Sequence, residues 1–415
     1  MDILKSRLYI FRMDEKPTVR LLDRTTPPNL GTLILLAGLA ALSMNIFLPS
    51  LAGMADHFDT NYRLIQLSVA LYLGVNAILQ VFIGPLSDRF GRRPIILGGI
   101  VIFLIATLGC IYAPSVEIFL SFRMLQAVIV TGMVLSRAIV RDMVGQDEAA
   151  SMIGYLTMGM SIVPMVGPAI GGVLDTQFGW QASFWMMFIL GLGLLWLTFY
   201  DLGETASRTS ASFREQVRQY PELFSSLRFW GYVACATFAS GSFFAYLGGA
   251  PYIASEVYLL PPEWTGIYFG APALGYFAGN YISGRFSRRF GIDKMILWGS
   301  LLCTAGMGAS YLTFAFSEGS VEIFFAFMTF IGLGNGLVLP NANAGMLSVR
   351  PHLAGTASGI GGAIMIGGGA ALSAFAGTLL SPDAGPLPLV TLMLASSVMG
   401  VISILFVLRR IQTIG

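Results

Sequence analysis

Residues 84–99 read GPLSDRFGRRPIILGG, and residues 284–299 read GRFSRRFGIDKMILWG. The two stretches stand 200 positions apart and share Gly84/Gly284, Ser87/Ser287, Arg89/Arg289, Phe90/Phe290, Gly91/Gly291, Ile96/Ile296, Leu97/Leu297 and Gly99/Gly299. At the same offset Gly132 meets Gly332, Gly159 meets Gly359 and Gly167 meets Gly367. An offset held over so much of the chain marks an internal duplication. The fold is therefore two copies of one unit, and the unit must be defined by what lies around these stretches.

What lies around them is apolar. Of 415 residues, 55% are hydrophobic and 11% are charged, against about 25% charged in a soluble domain. Mean hydropathy is +0.74. A single soluble core stops growing near about 250–300 residues, so this much apolar mass needs a bilayer. Soluble enzymes and disordered chains are excluded, and a net charge of +2 is too small to suggest a nucleic-acid partner. Cys110, Cys235 and Cys303 all fall in apolar runs and read as small buried hydrophobes. His57 and His352 lie far apart. No metal site and no cofactor are expected.

A spanning helix needs about 20 mainly apolar residues. Twelve such runs follow one another, at about 30–51, 64–86, 95–113, 118–140, 150–174, 183–202, 229–255, 265–286, 295–316, 321–343, 354–380 and 387–409. The short alternating strands of a membrane barrel are not seen. The expected fold is all-α, with two six-helix bundles at 30–202 and 229–409. A tail at 1–29, a polar linker at 203–228 carrying Arg208, Arg214, Arg218 and Arg228, and a tail at 410–415 complete the chain. Lys and Arg collect in cytoplasmic loops. With twelve spans, 21 of the 24 fall on the side that holds both termini, which places both termini in the cytoplasm. Residues 1–29 carry six basic residues without a cleavable apolar segment after them. Two six-span copies starting on one side form parallel repeats, a transporter architecture whose site lies near the membrane midplane between the halves.

The loop Gly84-Pro-Leu-Ser-Asp88-Arg89-Phe-Gly91-Arg92-Arg93-Pro94 resembles the signature loop of the major facilitator superfamily. Gly91 allows a tight turn, Gly84 permits close helix approach, and Asp88 suits a helix terminus or an Arg partner. In the second copy Arg288 replaces Asp88. The run Gly167-Pro168-Ala-Ile-Gly171-Gly172 in span five resembles the glycine-proline motif of the superfamily's antiporters, although Val163 replaces its upstream Gly. It suits tight helix packing or a hinge. In span four, Arg123 and Gln126 resemble the superfamily's Arg-x-x-Gln motif. Arg137-Ala-Ile-Val-Arg141-Asp142, with Leu48-Pro49 in span one, resembles the Bcr/CflA multidrug-efflux branch. The resemblance covers about residues 30–409. It implies a monomeric secondary transporter of the bacterial inner membrane that exports drug-like molecules, with protons as the coupling ion. It also implies a cytoplasmic gate in which Asp88 pairs with Arg137, Arg141 or the start of span eleven, and Arg92 pairs with Asp142.

The deepest charge is Arg123. A charge at membrane depth costs at least about 2.5–3.5 kcal/mol on insertion scales, and this one is expected to face a central cavity with Gln126. Where the branch commonly has an acidic residue before Leu48-Pro49, this chain has Asn45. Either another group titrates or the coupling is not to protons. Tyr72, Asn76 and Gln80 recur every four residues and share a helix face. Asn280 repeats the Gln80 position, while Asn335 and Asn341 lie in span ten and Tyr246 in span seven. These residues are the expected substrate or coupling set, with interhelical hydrogen bonding as the plain alternative. An exporter of one polar metabolite (a sugar, amino acid or siderophore) and a non-transporting sensor or scaffold are the competing readings. No ATP-binding G-x-x-x-x-G-K-[ST] motif occurs, and no paired carboxylates or Ser/His arrangement indicates an enzyme.

Overall fold

The computed structural model describes residues 19–144, 146–205, 221–317, 319–350 and 353–414. Residues 1–18 of the expected tail and 206–220 of the expected linker, with Arg208, Arg214 and Arg218, lie outside them. The described residues are all-α and run as twelve helical spans. The first six are α1 (Leu30–His57), α2 (Tyr62–Phe90), α3 (Arg92–Ile111), α4 (Val116–Met143), α5 (Gln146–Phe178) and α6 (Gln181–Asp201). The second six are α7 (Leu227–Val257), α8 (Pro262–Tyr268 and Ala271–Phe290), α9 (Ile292–Phe316), α10 (Val321–Val349), α11 (Ala354–Leu379) and α12 (Leu387–Ile414). Among the described residues, ten helices are long and apolar enough by themselves to cross a membrane.

Several helices overrun the apolar runs that mark them. A 29-residue helix such as α2 is about 43 Å long, against about 30 Å of hydrocarbon. The excess turns carry polar or basic residues, such as Arg63 at one end of α2 and Ser87, Asp88 and Arg89 at the other. For the same reason α12 continues to Ile414, past the expected boundary at 409.

Local signals set the ends. Asn29 caps α1 by accepting from the Gly31 N–H at 2.8 Å, and Asn61 caps α2 from Leu64 N at 2.9 Å. Gly91 ends α2 with φ +96° and ψ 151°, and Gly291 ends α8 with φ +86° and ψ 154°. That backbone region is open only to glycine, so the duplicated glycine is a conformational requirement. α1 breaks at a 3-10 turn over Leu48–Ser50 that contains Pro49, and α7 loosens into a π turn at Ile253–Val257 just after Pro251. Proline removes a backbone donor in each. The first helix of each half is thus irregular at a matching depth.

Each half packs as its own bundle, and the halves meet along α2 with α11 and along α5 with α8. The end bearing Arg89, Arg92, Arg93, Arg288 and Arg289 is called the basic end below, and the opposite one the far end. At the basic end the buried carboxylate of Asp201 closes α6 against the chain's leading segment. It accepts from Leu22 N (2.8 Å), Asn29 N (2.9 Å) and the Thr32 hydroxyl (2.7 Å).

Candidate functional site

A cavity of about 260 Å³ lies between the halves. α1 gives it Met44 and Asn45, α2 gives Asn76, and α4 gives Met133 and Arg137. Facing them are Phe243 and Phe244 of α7, Phe269 in the break of α8 and Tyr276 beyond it, and Asn335 of α10. Of the expected substrate set, Asn45, Asn76 and Asn335 come together here. The Asn45 amide nitrogen donates to the Ala41 carbonyl at 2.9 Å. A carbonyl accepts only from the nitrogen, so Oδ1 points away, and it is buried without a partner. Asn335 Oδ1 is left in the same condition. Asn76 accepts from Gln80 Nε2 at 2.7 Å, so Gln80 acts on the cavity through Asn76.

Arg123 does not line this cavity, which corrects the sequence expectation. It is fully buried inside the first half, and its guanidinium carbon sits 4.3 Å from the Phe47 ring centroid and 4.0 Å from that of Tyr72. Nη2 donates to the Ser43 carbonyl at 2.6 Å and Nη1 to the Ser43 hydroxyl at 3.2 Å. Nη1 also donates to Gln126, whose amide goes on to Thr107 at 2.8 Å. The reason lies in α1. Its first segment ends at Asn45, so carbonyls after that of Leu42, which still accepts from Ile46 N, run out of helical partners and carry the negative end of the helix dipole. A cation there caps the break. A desolvated cation between two aromatic faces is favourable by about 2 kcal/mol. Tyr72 completes the cage and reaches the Ser43 hydroxyl at 3.4 Å.

Three others also fall outside the cavity. Tyr246 is buried among Phe243, Phe269 and Phe325, with its hydroxyl unpaired. Asn280 donates to its own helix at Tyr276 O, 2.9 Å. Asn341 ties α10 to α8 through Ser283 Oγ at 2.8 Å. For the two asparagines local or interhelical bonding is the role observed, and for Tyr246 it is aromatic packing.

The far end is sealed by residues that sequence reading missed. Gln66 of α2 is buried and donates to the Ser373 carbonyl of α11 at 2.6 Å. Gly248 and Gly377 make the slot it fills, since a Cβ on either would collide with its amide. Tyr62 stacks edge-on against Tyr252 at 4.9 Å. A buried glutamine within an apolar span was the available signal. The glycine-proline motif works at the same end. A Cβ on Gly172 would strike the Pro262 carbonyl, one on Gly266 the Pro168 carbonyl, and one on Gly171 the Ile46 carbonyl. Gly167 meets Leu42 at 3.1 Å on the same test. α5 therefore touches α8 and α1 backbone to backbone.

At the basic end Arg92 pairs with Asp142 at 3.2 Å, as the motif implies. Asp88 pairs with Arg92 one turn along; neither Arg137 nor Arg141 is its partner, because α4 turns Arg137 into the cavity wall, where its side chain is exposed. Glu204, another missed residue, caps α3 by accepting from Arg92 N at 2.8 Å and Arg93 N at 3.3 Å. Arg93 donates to the Leu202 carbonyl at 2.9 Å, and Arg89 lies over Phe90 at 5.2 Å. Gly84 has open space where a Cβ would stand, so the close approach expected there is absent. Among the described residues no ion pair joins the two halves.

The Major Facilitator Superfamily pattern matches residues 33–374. The chain belongs to that superfamily. It is 30% identical over 334 residues to the chloramphenicol resistance protein of Pseudomonas aeruginosa, covering 78% of this chain and 77% of that one. It is 28% identical over 347 residues to multidrug resistance protein D of Escherichia coli K12, covering 82% and 87%. A crystal structure of a bacterial homolog of the human lysosomal transporter Spinster, inward-facing and occupied, superposes with a TM-score of 0.73 at 17% identity, over 92% of this chain and 96% of that one. The drug-efflux resemblance read from α4 and Leu48-Pro49 is borne out by the relatives, and the two-bundle fold by the structure.

Proposed function

We propose that the chain is a secondary active exporter of drug-like, amphipathic small molecules across a bacterial cytoplasmic membrane. The observation that carries this reading is the cavity, which takes its walls from both halves while Gln66, Tyr62 and the glycine crossings hold the halves together on one side of it. The excess of Lys and Arg at the basic end supports a cytoplasmic position for that end and for both termini. In that orientation the sealed end faces outward and the structure is an inward-facing state. The bundles at 30–202 and 229–409, joined by the 203–228 linker, rock about the cavity. The 84–94 loop closes the cytoplasmic side when the far end opens. The names of the relatives support drugs as cargo and export as the direction.

Proton antiport is the coupling the family resemblance supports, with the titrating group lying elsewhere than at Asn45. Two measurements test the reading. Expression in a drug-hypersensitive bacterium raises resistance to at least one amphipathic antibiotic of a panel that includes chloramphenicol; no rise for any member removes the drug-export reading. In proteoliposomes an imposed pH gradient accelerates drug transport, and equal transport with and without it rules out proton antiport.

A further inference from the structure

The charge inventory of the cavity is one-sided. Arg137 is the one charged residue among those lining it. Among the described residues Arg137 has no carboxylate partner. The next charged group along the same helix face is Arg141, one turn toward the basic end, and it is cationic and exposed. The carboxylate nearest to them in sequence, Asp142, is engaged by Arg92. Behind the wall Arg123 adds a second positive charge whose hydrogen-bond partners are all neutral. The cavity lining therefore carries a net positive charge, which favours an anionic ligand.

The rest of the lining completes a ligand outline. Phe243, Phe244 and Phe269 make one wall aromatic. Asn45 and Asn335, 3% and 4% exposed, line the cavity from opposite halves, and each carries a buried amide oxygen without a partner. A buried acceptor without a donor is costly, and a ligand hydroxyl or amide N–H relieves it.

We infer that the cavity takes an anionic amphiphile: a carboxylate, phosphate or sulfonate held by the Arg137 guanidinium, an aromatic body against the α7–α8 wall, and a hydroxyl or N–H donor between Asn45 and Asn335. A planar guanidinium suits a two-pronged bond to such a head group. The cavity volume suits a head group with one or two rings, and a two-chain lipid does not fit. This inference rests on the exporter reading and names the substrate class of the same site.

The test is equilibrium binding of two probes with the same body, 2-naphthoate and 2-naphthylmethanol, to the purified full chain in a neutral detergent. The parent protein binds the carboxylate at least tenfold more tightly than the alcohol. Arg137→Gln brings that preference below twofold, with folding checked by thermal melting. Arg63→Gln, at an exposed site on the far end, keeps the parent's preference. A parent that shows no preference, or binds neither probe, overturns the inference, and so does a preference that survives in Arg137→Gln. If the Gln variant does not fold, Arg137→Lys carries the test, since it keeps the charge and loses the planar fork. Its preference falls below the parent's, and a value equal to the parent's overturns the pairing. Failure of drug efflux with the anion preference intact removes the transport reading alone. Efflux of neutral drugs without an anion preference removes this inference alone.

Discussion

The loop after α2 and the loop after α8 share a backbone and differ in chemistry. Both turn at a glycine in the same unusual conformation, and both glycines donate to a serine carbonyl four residues earlier at 2.9 Å. In the first loop Arg92 gathers Asp88 and Asp142 while Glu204 caps the next helix. In the second, Ile292 replaces Arg92, and Asp293 accepts from the Tyr232 hydroxyl at 2.7 Å within its own half. The interiors diverge in the same way. The first half buries an arginine whose two Nη atoms donate to Ser43 and Gln126, and the second a tyrosine whose hydroxyl has no partner. Duplication preserved what the backbone demands, and ionic wiring was free to change, because a turn needs a particular residue type whereas a charge network needs only some set of partners.

Five substitutions put that contrast under strain. The largest loss belongs to Gly91→Ala, about 3 kcal/mol of stability, against about 2 kcal/mol for Gly291→Ala. Both force an L-residue into glycine's region, and only at Gly91 would the new Cβ also strike the Glu204 carboxylate. Equal losses in chemical unfolding from mixed micelles would show that Glu204 does not discriminate the loops. Arg123→Ala follows at about 2 kcal/mol, since the Ser43 carbonyl and Gln126 lose their donor; a loss under about 0.5 kcal/mol breaks the claim that a cation holds the break in α1. Glu204→Gln removes a charged cap worth about 0.5 kcal/mol at a helix N-terminus, which the same unfolding series resolves against the parent. Tyr246→Phe has the smallest effect, within about 0.5 kcal/mol, because the hydroxyl it deletes makes no bond. A larger destabilisation would reveal a partner for that oxygen.

The architecture was legible because hydropathy, loop charge and a 200-residue offset are properties of the chain read in one dimension. The Arg92–Asp142 pair was legible through a motif, and the burial of Arg123 through its cost. Its address was not. Whether a helical side chain meets a cavity or the neighbouring helix depends on the rotation of that helix about its axis. α4 changes rotation at the 3-10 turn over Ala127–Ile129, between Arg123 and Arg137. This turn separates the two arginines' surroundings, and no pattern of apolar residues announces it. Gln66 was missed for a related reason, since its partner Ser373 lies 307 residues away and the meeting of α2 with α11 is a fact of assembly. Asn45 was singled out because it departs from a motif, and its orphaned oxygen then became visible only in three dimensions.

Asp201 has a practical consequence. Two donors from the segment before α1, Leu22 N and Asn29 N, and the Thr32 hydroxyl of α1 converge on one buried carboxylate at the end of α6, so residues 22–29 travel as part of the first bundle. A fluorophore placed at Val19, which is exposed, would serve as a fixed antenna on one moving body. Paired with a label on the second bundle, it reports the opening angle between the halves rather than the wandering of a tail.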